Sequence, residues 1–329
     1  MRTNSFFRTV VLILGLVLFS AGSVSAAGRV PVFVSIVPQL YFLAKIGGDR
    51  VNVSVMVMPG ASPATYEPTP RQMTGLAKAK AYFAVGVPFE STWLSRFESA
   101  NPTMAVVRTD EGIEKMPMAA HHHHDEEEGH GPAGTPPPGP RHDDDHAAGG
   151  PGHGSMEHGR GDHDHGILDP HIWLSPRLVK VMARNIYKGL VEIDPAGRPE
   201  YTVNLNAFLE ELDALDGELS SVLSALPPER RTFMVFHPSW GYFARDYGLR
   251  QIPIESEGKE PSPGELARIV ETGKERHIPV VFVQPQFSER SAKVIASEMG
   301  AKVVPLNPLA PDWKMNLLKV AEAFRQALQ

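Results

Sequence analysis

Residues 169–195 read DPHIWLSPRLVKVMARNIYKGLVEIDP, a helix written between two stop signals. The Ser175 side chain can accept a hydrogen bond from the first turn, and Pro176 suits a first helical position, where a missing N–H costs nothing. Leu178, Met182, Ile186, Leu190 and Ile193 then recur at intervals of four or three until Asp194 and Pro195 end the run. The spacing predicts one helix of about five turns with a single apolar face. A second helical pattern opens near Pro199 and carries Tyr201, Leu205, Phe208, Leu212, Leu215, Leu219 and Leu223 before the Pro227-Pro228 pair. Outside these two, short β-branched runs alternate with helix-length stretches. The runs are 31–36, 51–58, 81–87 and 104–107 on one side and 232–236, 280–283 and 302–306 on the other. That alternation predicts an α/β fold of two βα lobes with parallel sheets.

Composition agrees with two lobes and narrows the chemistry. The chain has 329 residues, 42% apolar and 21% charged, enough for about two domains. It contains no cysteine, which excludes disulfides, thiolate metal sites, a cysteine nucleophile and a lipid-bearing cysteine. Any metal must therefore use His, Asp, Glu or Asn. The net charge is −6, and residues 121–165 contribute −8 of it through ten acids and two arginines, leaving +2 elsewhere. Nothing in this balance is the footprint of a nucleic-acid binder.

The chain opens like an exported protein. Arg2 and Arg8 precede an apolar run at 10–19 and small residues at 21–27, the three-part layout of a secretory signal peptide. The run is too short to span a bilayer. Removal of a signal peptide, 1–26, after Ala26 is expected to release a soluble chain into the periplasm.

The stretch 119–166 changes character. Within 121–165 there is no Val, Ile, Leu, Phe, Tyr or Trp, yet it holds eleven of the chain's fourteen histidines. Such a segment cannot bury a core and is expected to be disordered without a ligand. Its imidazoles and carboxylates offer weak ligands to zinc, nickel or copper.

Only His171, His237 and His277 lie outside that stretch. His277 sits in a charged helix end and reads as surface. His237 follows the apolar run 233–236, and His171 stands in Asp169-Pro170-His171-Ile172-Trp173 just ahead of the capped helix. Both are segment ends of the kind where ligands gather in open α/β sheets. Enzyme signatures are missing. There is no His-Glu-x-x-His, no Gly-x-Ser-x-Gly and no phosphate-binding glycine loop ending in Lys-Ser or Lys-Thr. His163-Asp164-His165 with Asp169 and His171 does not have the spacing of a binuclear hydrolase. No enzyme activity is expected.

Several motifs in order carry a family likeness. They are Met58-Pro59-Gly60-Ala61-Ser62-Pro63, Tyr66-Glu67-Pro68-Thr69-Pro70, Asp169-Pro170-His171-Ile172-Trp173-Leu174-Ser175-Pro176, and Phe236-His237 followed by Tyr242-Phe243 and Tyr247-Gly248-Leu249. Gly258-Lys259-Glu260-Pro261-Ser262-Pro263 and Gln284-Pro285-Gln286-Phe287-Ser288 complete the series. Together they resemble the zinc and manganese substrate-binding proteins of bacterial ABC importers, over nearly the whole chain outside the insert.

The resemblance implies two α/β lobes joined by one long rigid helix, with a metal in the inter-lobe cleft. On this reading the lobes are 27–174, including the insert, and 196–329, with 175–195 as the linker helix. It implies His171 and His237 as ligands, and a histidine at the second of these looks like the zinc-type members, in keeping with the preference of imidazole for zinc over manganese. The family's first ligand, a histidine in a Pro-His-x-Tyr-Glu-Pro motif, falls on Ala64 here. Its last, an Asp in a Leu-Asp-Pro-Leu motif, falls on Asn307. Two imidazoles leave a tetrahedral zinc shell open. His163 or His165 can fold back to complete it, His165 being six residues from His171. Glu255, Glu257 or Glu67 can substitute instead, or the insert itself holds the metal.

The function expected is capture of zinc, with Mn2+ less favoured, and its delivery to the membrane permease of an ABC importer, by a monomer that binds no nucleic acid. The other reading is a periplasmic metal buffer or chaperone acting mainly through the insert.

Overall fold

Each half of the chain folds its short apolar strands into one four-stranded parallel sheet. The computed structural model describes residues 28–119, 168–255, 259–287 and 289–328. In the first lobe, β1 (Val30–Val34), β2 (Val51–Val55), β3 (Ala81–Ala84) and β4 (Ala105–Arg108) lie in the order β2-β1-β3-β4. In the second, β5 (Thr232–Val235), β6 (Arg250–Pro253), β7 (Val280–Val283) and β8 (Lys302–Pro305) repeat it as β6-β5-β7-β8. Every pairing is parallel, with Val32 opposite Val53 and Ala81 in one lobe and Met234 opposite Ile252 and Val281 in the other. The inner strands β3 and β7 are buried along their whole length, as a sheet covered on both faces requires. In both sheets the chain reverses direction of growth beside its first strand. The crevices this opens, at the carboxyl ends of β1 and β3 and of β5 and β7, face ligands in doubly wound folds.

The helices are α1 (Pro38–Gly47), α2 (Pro70–Leu76), α3 (Pro88–Ala100), α4 (Pro176–Ile193), α5 (Arg198–Ser224), α6 (Gly241–Asp246), α7 (Pro263–Glu275), α8 (Glu289–Met299) and α9 (Trp313–Leu328). The predicted cap on α4 is present, with the Ser175 hydroxyl accepting from Leu178 N–H at 3.1 Å. Its apolar face lies on β3, β4 and α1 of the first lobe, and Gly189 lets it come close: a Cβ there would stand 2.6 Å from Val107.

The element that crosses between lobes is α5. Its 27 residues span about 40 Å, and it packs on α1 of the first lobe and α9 of the second. The sequence reading gave the connecting role to 175–195, whose caps are the sharper signal. The longer stripe from Tyr201 to Leu223, every member buried, is what reaches both lobes. Phe42 from α1, Phe208 from α5 and Trp313 from α9 meet there, with Phe42 ring centroids 5.0 Å from Trp313 and 6.1 Å from Phe208. One apolar core consequently runs through both lobes, and a smaller one fills the space under α7 and α8.

One strand escaped the sequence reading. β6 is four residues, Arg-Gln-Ile-Pro, at a sheet edge. An edge tolerates Pro253 and an exposed Arg250, which erase the β-branched signal. Pro117 and Leu168 form an isolated antiparallel bridge, so the chain leaves and re-enters the first lobe at one place. The signal peptide expected at 1–26 and, apart from Ala119, the insert expected at 119–166, with His163 and His165, fall outside the described residues, as does Glu257. Among the described residues no helix is long and apolar enough to cross a membrane.

Candidate metal centre

The carboxyl end of β5 delivers His237 to the crevice. The segment that returns to the first lobe delivers His171 opposite it, and the two ring centroids are 5.1 Å apart. Each imidazole is fixed by a carboxylate behind it. His171 Nδ1 lies 2.7 Å from Asp169 Oδ1, which also accepts His171 N–H at 2.9 Å. His237 Nδ1 lies 2.6 Å from Glu255 Oε1. With Nδ1 engaged, Nε2 is the nitrogen each ring offers to the cleft. A carboxylate on the far nitrogen of a histidine sets its tautomer and makes it a stronger metal ligand. Asp169 and Glu255 are almost wholly buried, at 1% and 2% exposure, so they act here as supports.

The shelf under His237 is built by the end of β7. Gln284 accepts His237 N–H at 3.2 Å through its side-chain oxygen and donates to His237 O at 2.6 Å and to the Ser239 hydroxyl at 2.9 Å. Phe287 stacks on the imidazole with centroids 4.9 Å apart and planes 24° apart. Trp173 flanks His171 at 5.1 Å. Burial holds the His171 imidazolium below the usual histidine range, against the opposing pull of Asp169, so the ring is neutral and metal-ready at neutral pH.

Tyr242 ties the two sides together. Its hydroxyl donates to Asp169 O at 2.9 Å and accepts from Met116 N–H at 3.0 Å. Burial pushes the phenol up to about 12, which keeps the donor protonated. Trp173 Nε1 donates to Pro308 O, and Trp313 Nε1 donates to Trp173 O, at 2.8 and 2.7 Å.

The cleft encloses a cavity of about 60 Å³ lined by Ala64, His171, Trp173, His237, Gln286 and Phe287 among others. Ala64 offers it only a methyl group. Asn307 stands to one side: its side-chain oxygen accepts Leu309 N–H at 2.9 Å, while its neighbours Pro308 and Leu309 form the wall. Glu67 is exposed and does not line the cleft. Among the described residues no three His, Asp or Glu side chains gather closely enough to form a complete metal cage. Of the residues singled out by sequence, the structure brings together His171, His237 and Glu255, the last against His237 Nδ1 as its support. It adds Asp169, Gln284 and Phe287, whose roles could be read only once the ring orientations were known.

A cleft between two parallel-sheet lobes, carrying paired imidazoles, is the architecture of a substrate-binding protein. The chain belongs to the family of zinc-uptake complex component A, periplasmic, whose model matches residues 32–327; this is a transport family, not an enzyme family. A solved ZnuA is 42% identical, with a TM-score of 0.76 over 92% of this chain and all of that one. The high-affinity zinc uptake system protein ZnuA of Bacillus subtilis is 29% identical over 88% of this chain and 81% of its own length. The iron-binding protein YfeA of Yersinia pestis is also 29% identical, over 78% of this chain and 70% of its own.

Proposed function

We propose that this protein captures zinc in the inter-lobe cleft, on the periplasmic side of the membrane, and hands it to the permease of an ABC importer. The observation that carries the reading is the pair His171 and His237, each backed by a buried carboxylate and turned toward one space. Two neutral imidazoles suit zinc better than manganese, and Asp169 with Glu255 supplies the two negative charges that balance the ion.

One ligand comes from each side of the cleft, so a separation of the lobes breaks the shell without any chemical step. Docking on a permease that favours the open form therefore releases the cargo, as in hinge closure around ligands. Binding requires both rings neutral, and protons compete with zinc for them. The test is zinc accumulation by cells grown with a chelator. Loss of the gene lowers uptake, the wild-type chain restores it, and the double variant His171→Ala/His237→Ala does not. Restoration by the double variant would place the working metal site elsewhere in the chain.

A further inference from the structure

Two imidazoles leave a zinc shell half filled, and the Ala64 methyl and the engaged Asn307 oxygen do not fill it. One other polar atom on the cleft wall is without a partner. Gln286 lines the same space as His171 and His237, and its side-chain oxygen is buried with no hydrogen bond among the described residues. A buried carbonyl oxygen left unpaired costs on the order of 1–3 kcal/mol. Such an atom calls for an explanation, and beside two imidazoles turned toward one space a bound ion is the one the cleft supplies.

The residue is also held in place. Gln284, two positions earlier, clamps the backbone of His237 through both N–H and C=O, Phe287 N–H bonds back to Gln284 O at 3.1 Å, and the Phe287 ring stacks on His237. Gln286 thus sits between two residues that both grip His237, and its position is locked to that of the imidazole.

We propose that the Gln286 side-chain oxygen is the third protein ligand of the cleft metal, beside His171 and His237. This rests on the cleft reading above. A neutral amide oxygen is an acceptable donor to zinc at the distances carboxylate oxygens use. It adds no charge, so the balance stays with Asp169 and Glu255 behind the rings. The fourth position is then open to water.

The test uses full-length protein and two ions, zinc by chelator competition and Co2+ by its visible absorption, which reports the number and kind of donors. Gln286→Met keeps the length and removes the oxygen. It is expected to weaken zinc by about 10- to 100-fold and to change the Co2+ bands, at an unchanged thermal midpoint. Gln286→Glu puts an anionic oxygen at the same place and is expected to tighten zinc. Unchanged affinity and spectrum in Gln286→Met would overturn the assignment, as would weakening by both variants, since a ligand position gains from a carboxylate. His171→Ala/His237→Ala is measured alongside. If it still binds zinc tightly, the cleft reading itself fails; if it loses zinc while Gln286→Met does not, only Gln286 is removed from the shell.

Discussion

Each lobe buries a carboxylate near the carboxyl ends of its strands, Glu90 after β3 in one and Glu255 after β6 in the other, and the two are used in opposite ways. At the end of β1 and β3, Glu90 accepts from the Ser35 hydroxyl and from Val85 and Gly86 N–H, the latter two at 2.9 and 2.8 Å. Gln39 closes the rest, accepting from Ser35 and Ile36 N–H and donating to Phe83 O. Burial raises the Glu90 carboxyl while these donors oppose it. In the second lobe Glu255, just past β6, instead holds His237, and Gln284, just past β7, braces the His237 backbone as Gln39 braces that of Ser35 and Ile36 in the first lobe. One crevice satisfies its own polar groups and is a brace. The other spends its carboxylate on an imidazole and leaves, in the wall of the cleft, a buried amide oxygen of Gln286 with no hydrogen bond among the described residues. Where an α/β protein keeps unspent polar atoms at a switch point, the ligand is what they are kept for.

The contrast can be broken by exchanging which property each lobe loses. Glu90→Ala strips the acceptor from three donors at once, and should cost about 3–5 kcal/mol in urea unfolding, with zinc affinity of the folded protein unchanged. Glu255→Gln should do the reverse. Its stability should stay within about 1 kcal/mol of wild type, while zinc affinity by chelator competition falls about 10- to 100-fold. If Glu255→Gln unfolds the lobe and leaves affinity intact, the two carboxylates have the same role and the contrast is lost. Gly86 sharpens the picture on the brace side. It has φ +85°, and a Cβ there would stand 2.6 Å from Asp110 Oδ2, so Gly86→Ala should lower stability by about 1–3 kcal/mol without touching metal binding.

The smallest effect is a pH slope. Burial lowers the His171 value in the folded state, so below about pH 6.5 the unfolded chain binds the proton more readily than the folded one. The contribution is present at neutral pH and is lost as pH falls from the unfolded value through the lowered folded one. In the metal-free protein, stability measured from pH 7.5 to 5 should decline through this window, and His171→Ala should flatten the decline.

Much of this was legible in the sequence, for physical reasons that differ by element. Central strands such as 280–283 are buried on both faces and so spell themselves in β-branched residues; the edge strand β6 is not and does not. His171 and His237 stood out because they were rare histidines at segment ends. Glu255 is legible only as one of several acids able to complete the shell, and Asp169 and Gln286 not at all, because an acid or amide next to a proline has many ordinary uses; only the imidazole orientation or the missing hydrogen bond assigns their roles. The crossing helix was mistaken for its neighbour because caps mark where a helix begins, while the length of its apolar stripe decides what it spans.

The central claim is that the paired imidazoles of the cleft hold the cargo. The deciding measurement is calorimetric zinc titration of the full-length protein, with a competing chelator strong enough to resolve a single tight site. The wild type should bind one ion tightly and His171→Ala/His237→Ala none, at equal urea midpoints. A tight ion that survives in the double variant would contradict it.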